Sequence, residues 1–407
     1  MAFWKSLVFS DLFIPVSRKN SGRNNNVLTI SAQDGLINQL DYYNHQYASA
    51  DTSEYTLLKK GEFAYNKSYS GEYPFGAIKR LEKYEWGVVS PLYLCFAPKE
   101  GVNADFFAHY FTGGMMNRAI YQIAQEGARN HGLLNVPTEA FFSSQIIVPP
   151  LSEQCRIATI LSACDRVVEG KQKLLEAKKQ RKRALMRMLL EQENESASQN
   201  ASPGKWPRIP FEDCFKLLRN NTYSRAFMVP TEGVANIHYG DVLVKYGELL
   251  DIAAGDVVSL AVGTPPNGDF LQEGDVVIAD TAEDETCGKA VEIGRLGSRK
   301  AVAGLHTIAC RPKRGLFVAG WLGFFLNSAA YHRQLVPLMA GIKVLSLARS
   351  SLQTTKIGVP PLAEQRRIVA ILSAAGREIA GLAREVEAWK EKKKALSQLL
   401  LSGKVRV

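Results

Sequence analysis

Apolar side chains recur at alternating steps of four and three along two long stretches of this chain. In the second stretch Ile368, Leu372, Ala375, Ile379, Leu382, Val386, Trp389, Leu396 and Leu400 fall on one stripe, interrupted only by Lys393. That spacing is the a/d seam of a coiled coil and predicts a helix running to about residue 402. The first stretch keeps the same register 211 positions earlier, at Ile157, Leu161, Cys164, Val168, Lys171, Leu175, Lys178, Leu185 and Leu189. Lys171 and Lys178 stand there where the second stripe has Leu382 and Trp389. A proline pair opens each helix (Pro149 and Pro150; Pro360 and Pro361), where a missing N–H costs nothing and φ is already suitable. At about 1.5 Å of rise per residue, each rod is on the order of 60 Å long.

The stripes belong to a larger repeat, because VPPLSEQCRIATILSACDR at 148–166 returns as VPPLAEQRRIVAILSAAGR at 359–377. A period this long marks duplication of a whole domain with its connector. The resulting order is globular, helix, globular, helix, with boundaries at 1–147, 148–193, 206–358 and 359–407. The polar segment 194–205, poor in apolar residues and closed by Pro203 and Gly204, reads as a linker. A lone heptad stripe most often packs on its own domain. A stripe that recurs after each of two related domains predicts that the helices find each other, antiparallel through an internal pseudo-two-fold, with the domains towards opposite ends.

The globular stretches show short β-rich runs, GEFAYNKSY at 61–69 and GDVVIAD at 274–280, bounded by Gly and Asp. Each opens on an aromatic strand-like segment (3–13; 206–215) and carries a helix-like stretch near 105–125 or 317–335. A Gly-led polar loop, GARNHG at 127–132 or GIKVLS at 341–346, precedes each proline pair. The fold class is therefore α+β for both domains.

Composition narrows the chemistry. The formal charge of +10 is spread along 407 residues, which favours a polyanionic partner. Cys95, Cys155, Cys164, Cys214, Cys287 and Cys310 form no CxxC pair and have no His at finger spacing, so they read as buried thiols of a reducing cytoplasm. The first residues lack an export signal and no apolar run anchors the chain in a membrane. No phosphate-binding loop exists, because Gly288 and Lys289 are followed by Ala290. The Pro pair in Thr264, Pro265, Pro266 and Asn267 lacks the flanks of an amino-methylation motif. Asp280, Glu283, Asp284 and Glu285 with Lys289 form an ordinary acidic loop about nine times in ten, against a metal cluster. His131 and His306 read as loop or core residues, not general bases.

The four-part layout, the PPLxEQxRI motif opening both helices and the YNKSYSGEYPFGAI stretch at 65–78 together resemble the specificity subunit of a type I restriction-modification enzyme. The resemblance covers essentially the whole chain. It implies two target-recognition domains, each reading one half of a split, asymmetric double-stranded DNA sequence, and two helices acting as spacer and as docking surface for two methylation subunits. Restriction subunits join through the complex, and S-adenosylmethionine, ATP and Mg²⁺ are expected on partner subunits, with no cofactor or metal in this chain. A non-catalytic reader is then favoured over a nuclease or methyltransferase, over a coiled-coil scaffold that never touches DNA, and over membership of a methylation-only system. For reading base edges, the first domain offers Tyr65, Asn66, Lys67, Ser68 and Tyr69 with Arg129, Asn130 and His131. The second offers Lys343, Ser346 and Arg349, with Thr281 and Lys289. Any one of them reads equally well as part of a surface hairpin or turn.

Overall fold

A computed structural model describes residues 4–31, 35–43, 48–49, 51–68, 73–124, 134–191, 206–230, 233–254 and 257–407. The expected linker at 194–205 lies outside the described residues, as do Tyr69, Arg129, Asn130 and His131. The chain divides into two compact units, Met1–Gln172 with Arg384–Val407, and Lys173–Ala383.

In the first unit four antiparallel strands follow the order Phe13–Pro15, Leu94–Pro98, Phe63–Asn66, Ala77–Arg80. Phe63, Ala64 and Tyr65 are all fully buried, so this strand is covered on both faces. Its cover is a cluster of phenylalanines: Phe9 and Phe13 stack at 4.6 Å, and Phe13 meets Phe107 edge-on at 5.0 Å. The helix Ala104–Thr112 supplies Phe106, Phe107, Tyr110 and Phe111 to that core, and its first turn is capped by Asn103, whose side chain accepts from Phe106 N at 2.9 Å. The single helix expected near 105–125 is two, Ala104–Thr112 and Asn117–Ile123. They are parted at Gly113 and Gly114, and Gly114 sits at φ +75, a conformation cheap only without a Cβ. The opening segment is likewise not one strand. It runs strand Lys5–Val8, a helical turn Phe9–Leu12, then strand Phe13–Pro15, because Asp11 accepts from Val8 N at 3.1 Å and closes the turn.

The second unit repeats the plan. Its five-stranded sheet follows the order Phe215–Leu218, Thr307–Pro312, Val276–Ala279, Ala290–Arg295, Leu249–Asp251, the last pairing parallel. The first four match the first unit, with Phe215 opposite Pro312 where the first unit has Phe13 opposite Pro98. A second sheet of four strands, Met228–Val229, Ser259–Leu260, Ala235–Ile237 and Ala301–Ala303, is added. Two helices, Trp321–Phe325 and Ala329–Leu335, replace the one expected near 317–335, and Ser328 starts the second by accepting from Tyr331 N. Glu292 lies buried beneath this pair and accepts from Gly320 N and Gly323 N at 2.5 and 2.8 Å. Burial pushes its carboxyl up to about 7 against the pull of those N–H groups.

The long helices are Leu151–Leu190 and Leu362–Leu401, each of 40 residues. The repeated Gln of their opening motif has a structural task. Gln154 Nε2 donates to the Pro149 carbonyl and Gln365 Nε2 to the Pro360 carbonyl, both at 2.9 Å, so each side chain folds back to cap the chain entering the helix. Within the first unit Ile157 and Leu161 share an apolar cluster with Leu400 and Leu401, while Lys171 pairs with Glu385 at 2.5 Å and Lys393 with Asp165. Within the second, Leu189 clusters with Ile368 and Leu372, and Lys178 pairs with Glu378 at 2.5 Å. Partner numbers fall along one helix as they rise along the other, so the pairing is antiparallel. The two seam lysines are thus bridged across, not left opposite apolar neighbours. Their glutamates are more than half exposed, so each bridge adds little, about 0–1 kcal/mol. Val168 and Val386 are buried, whereas Leu175, Ile379, Leu382 and Trp389 are only half-buried.

Two expectations about cysteines need correction. Cys95, Cys214, Cys287 and Cys310 are buried, but Cys155 is exposed on the first long helix, its Sγ accepting from Asn103 Nδ2 at 3.1 Å, and Cys164 is half-buried. Among the described residues no helix is long and apolar enough to cross a membrane.

Candidate nucleic-acid interface

In each domain one backbone tether joins the end of a central strand to the segment after the Gly-led loop. In the first, Leu134 N donates to the Lys67 carbonyl at 2.9 Å; in the second, Leu347 N donates to the Asp280 carbonyl at 2.8 Å. In the second domain the stretches that hold Thr281 and Ser346 are therefore brought to one place.

In the first domain Asn66 ends the strand Phe63–Asn66, and its side chain accepts from Ser68 N at 3.0 Å, turning the chain sharply. Asn66 and Lys67 are half-buried and Ser68 is exposed. The returning strand starts after Gly76, at φ +72, where a Cβ would stand 2.3 Å from the Asn66 carbonyl oxygen, so this turn requires glycine. Tyr65 is not a surface residue. It is fully buried, stacks on Phe141 at 5.5 Å and donates its hydroxyl to the Phe75 carbonyl at 2.9 Å, which makes it core.

In the second domain Thr281–Ala282 pairs with Leu345–Ser346, which places Thr281 opposite Ser346. Ser346 also exchanges both backbone hydrogen bonds with Ala340, closing a short loop that carries the exposed Lys343. Arg349 is exposed and its guanidinium donates to the Asn220 side-chain oxygen, while Asn220 Nδ2 donates to the Gly304 carbonyl at 3.2 Å. Asn220 and the neighbouring turn at His306 thus join the same surface, and sequence reasoning missed both. The polar run Arg219, Asn220, Asn221, Thr222 was the available signal for Asn220. Nothing local signals His306, which depends on pairing across the sheet. Lys289 belongs elsewhere. Its ammonium donates to the Leu243 carbonyl at 2.7 Å, at the end of the helix Tyr239–Val244, and burial pulls its pKa down. It lines a cavity of about 400 Å³ with Glu248, Thr286 and His332.

Two carboxylates of the acidic loop are engaged within the loop itself. Asp280 accepts from Thr281 Oγ1 at 2.8 Å and Asp284 accepts from Thr286 N at 2.9 Å, so these carboxylates shape their own loop. Among the described residues no group of three or more His, Cys, Asp or Glu side chains is placed to hold a metal.

A duplicated α+β domain, each copy followed by a 40-residue helix and each with the same backbone tether at the end of a central strand, defines a tandem-domain protein whose long helices pair antiparallel. No protein-family model matches the chain. Two curated proteins of Methanocaldococcus jannaschii are similar in sequence. The type I restriction enzyme MjaVIII specificity subunit is 25% identical over 299 residues, 68% of this chain and 65% of the relative. The putative MjaX specificity subunit is 25% identical over 400 residues, 93% of this chain and 86% of the relative. Thus the first alignment spans just under two thirds of its relative's length and the second most of it. A solved type I restriction-modification S subunit from M. genitalium shares the fold, with a TM-score of 0.55 at 13% identity over 98% of this chain and 96% of that one. The chain is thus similar in sequence to two type I specificity subunits and in fold to a solved S subunit.

Proposed function

We propose that this chain is the non-catalytic DNA-reading subunit of a type I restriction-modification complex in the cytoplasm. Each domain reads one half of a split, asymmetric duplex target, and the long helices set the spacing and dock two methylation subunits, through which restriction subunits join. S-adenosylmethionine, ATP and Mg²⁺ then belong to the partners. The observation that carries this reading is the matching backbone tether in the two copies, which lies beside Asn66, Lys67 and Ser68 in one and beside Thr281 and Ser346, with Lys343, Arg349 and Asn220 nearby, in the other. Such groups suit the acceptors and donors of base edges in the major groove, with cations fixing register on phosphates.

The test is co-expression with its methylation subunit, followed by mapping of methylated bases and mobility shifts at several salt concentrations. A split motif is expected, with affinity falling steeply as salt rises. Equal affinity of the full complex for target and scrambled duplex would sink the reading and favour a protein scaffold.

A further inference from the structure

His306 is one of two non-glycine residues among those described with a left-handed backbone, at φ +56. That conformation costs free energy and persists where surroundings over-determine it, often at a functional surface. Here the surroundings are on both sides of the turn. Gly304 N donates to the Ile237 carbonyl at 2.9 Å, Thr307 Oγ1 donates to the Gly304 carbonyl at 2.5 Å, and the His306 carbonyl accepts from Asp280 N at 3.2 Å. The imidazole itself is half exposed. Its flank rests edge-on against Tyr239 at 5.4 Å, and Nδ1 stands 3.7 Å from Asp280 Oδ1. The same Asp280 oxygen accepts the Thr281 hydroxyl proton at 2.8 Å.

One carboxylate therefore binds the Thr281 hydroxyl and stands beside the half-exposed His306 ring. Facing Asp280 favours the ring proton on Nδ1, which leaves Nε2 an acceptor in the neutral imidazole. Thr281 has spent its proton on Asp280, which leaves its oxygen an acceptor as well. Resting on the reading proposed above, we infer that His306 and Thr281 form an acceptor pair that recognises the exocyclic amino group of one adenine or cytosine in the half-site of the second domain. The base edges that present such a donor in the major groove are adenine N6 and cytosine N4. Asp280 and Tyr239 are positioning residues, and His306 makes the discriminating contact.

The experiment uses the full chain with its methylation subunit on its mapped target. Each adenine and cytosine of that half-site is replaced singly by purine or 2-pyrimidinone, which lack the amino group. The wild-type complex loses affinity about three- to tenfold at one such position, the worth of one hydrogen bond. In His306→Gly that loss vanishes, while affinity for the intact target falls by a similar factor. Glycine suits the left-handed backbone, so this variant keeps or raises thermal stability and cannot be dismissed as misfolded. A wild-type complex insensitive at every position, or a His306→Gly complex that keeps the full discrimination, overturns the inference while leaving DNA reading intact. Weaker assembly of His306→Gly with the methylation subunit in the absence of DNA overturns it in favour of a protein contact. Failure of the wild-type complex to prefer its target over scrambled duplex is a failure of the underlying reading instead.

Discussion

Replacing Arg406 by alanine should loosen the first unit alone. Arg406 donates through Nε and a terminal nitrogen to the two oxygens of Glu153 at 2.6 and 2.7 Å, and its guanidinium lies 5.8 Å from the Trp4 ring centroid. The Glu153 side chain is only 4% exposed and Arg406 32%, so the mutation leaves a carboxylate with little access to water and only the Trp4 side chain and the Val407 backbone N–H to offset its charge. Breaking a buried pair costs about 3–5 kcal/mol, and the partial exposure of Arg406 brings the cost below that range, to about 2–3 kcal/mol, once solvent screening is allowed. The hydrogen bonds from Arg406 hold the Glu153 carboxyl below its ordinary value of 4.5. A depressed carboxyl contributes stability that is present above pH 4.5 and lost as pH falls through the lower folded value. The gap between wild type and Arg406→Ala should therefore be full at neutral pH and close below pH 4.5. Hydrogen exchange resolved by peptide, corrected for intrinsic rates, measures it in the first turns of Leu151–Leu190, with the second unit as internal control. Glu153→Gln in the Arg406→Ala background should restore part of the loss. A change under about 0.5 kcal/mol, typical of an indifferent surface substitution, or an equal loss in both units, would refute the reasoning.

Three further outcomes are expected. Exchanging residues 1–147 for those of a relative should fail or destabilise the chain, whereas exchanging 1–172 together with 384–407 should transfer one half of the recognised sequence, as read by mapping methylated bases. Inserting four residues between Glu176 and Lys179 adds about 6 Å of helix and should move the half-sites apart by about one or two base pairs without altering either half; the original spacing at full methylation efficiency would exclude the helices as spacer. In the second unit the raised carboxyl of Glu292 contributes stability that is greatest below pH 4.5 and falls as pH rises from there to about 7. Glu292→Gln should flatten that slope in exchange protection of the second unit, and an unchanged slope would show that another group sets it.

The long helices were legible because a heptad stripe is a local signal, and the α+β class because short β-rich runs alternated with helical stretches. The breaks in the short helices turned on Gly113 and Gly114 and on Asn327 and Ser328, pairs whose backbone preferences were readable but whose packing was not. Tyr65 was misplaced because a strand buried on both faces loses the alternation that marks an outward side chain. Lys289 was misplaced because its partner, the Leu243 carbonyl, lies 46 residues away in sequence. His306 was invisible as a site residue, since its strain and its neighbours Asp280 and Tyr239 exist only after the sheets have formed. The discontinuous first unit was hidden too, because a repeat predicts two equal domains and not that one of them recruits residues from the end of the other's helix.

That discontinuity sets an order of completion during synthesis. Lys173–Ala383 is a single contiguous segment, so the second unit has all its parts once Ala383 has emerged. The first unit, though translated earlier, lacks Leu396, Leu400 and Leu401 until the last stretch appears, and those side chains belong to the phenylalanine-rich core. At about 5–20 residues per second the interval is on the order of 10–50 s. During it, part of that core faces solvent beside Gly113, where Leu401 later packs. The domain that starts first finishes last, and the nascent chain spends that interval as its most aggregation-prone form.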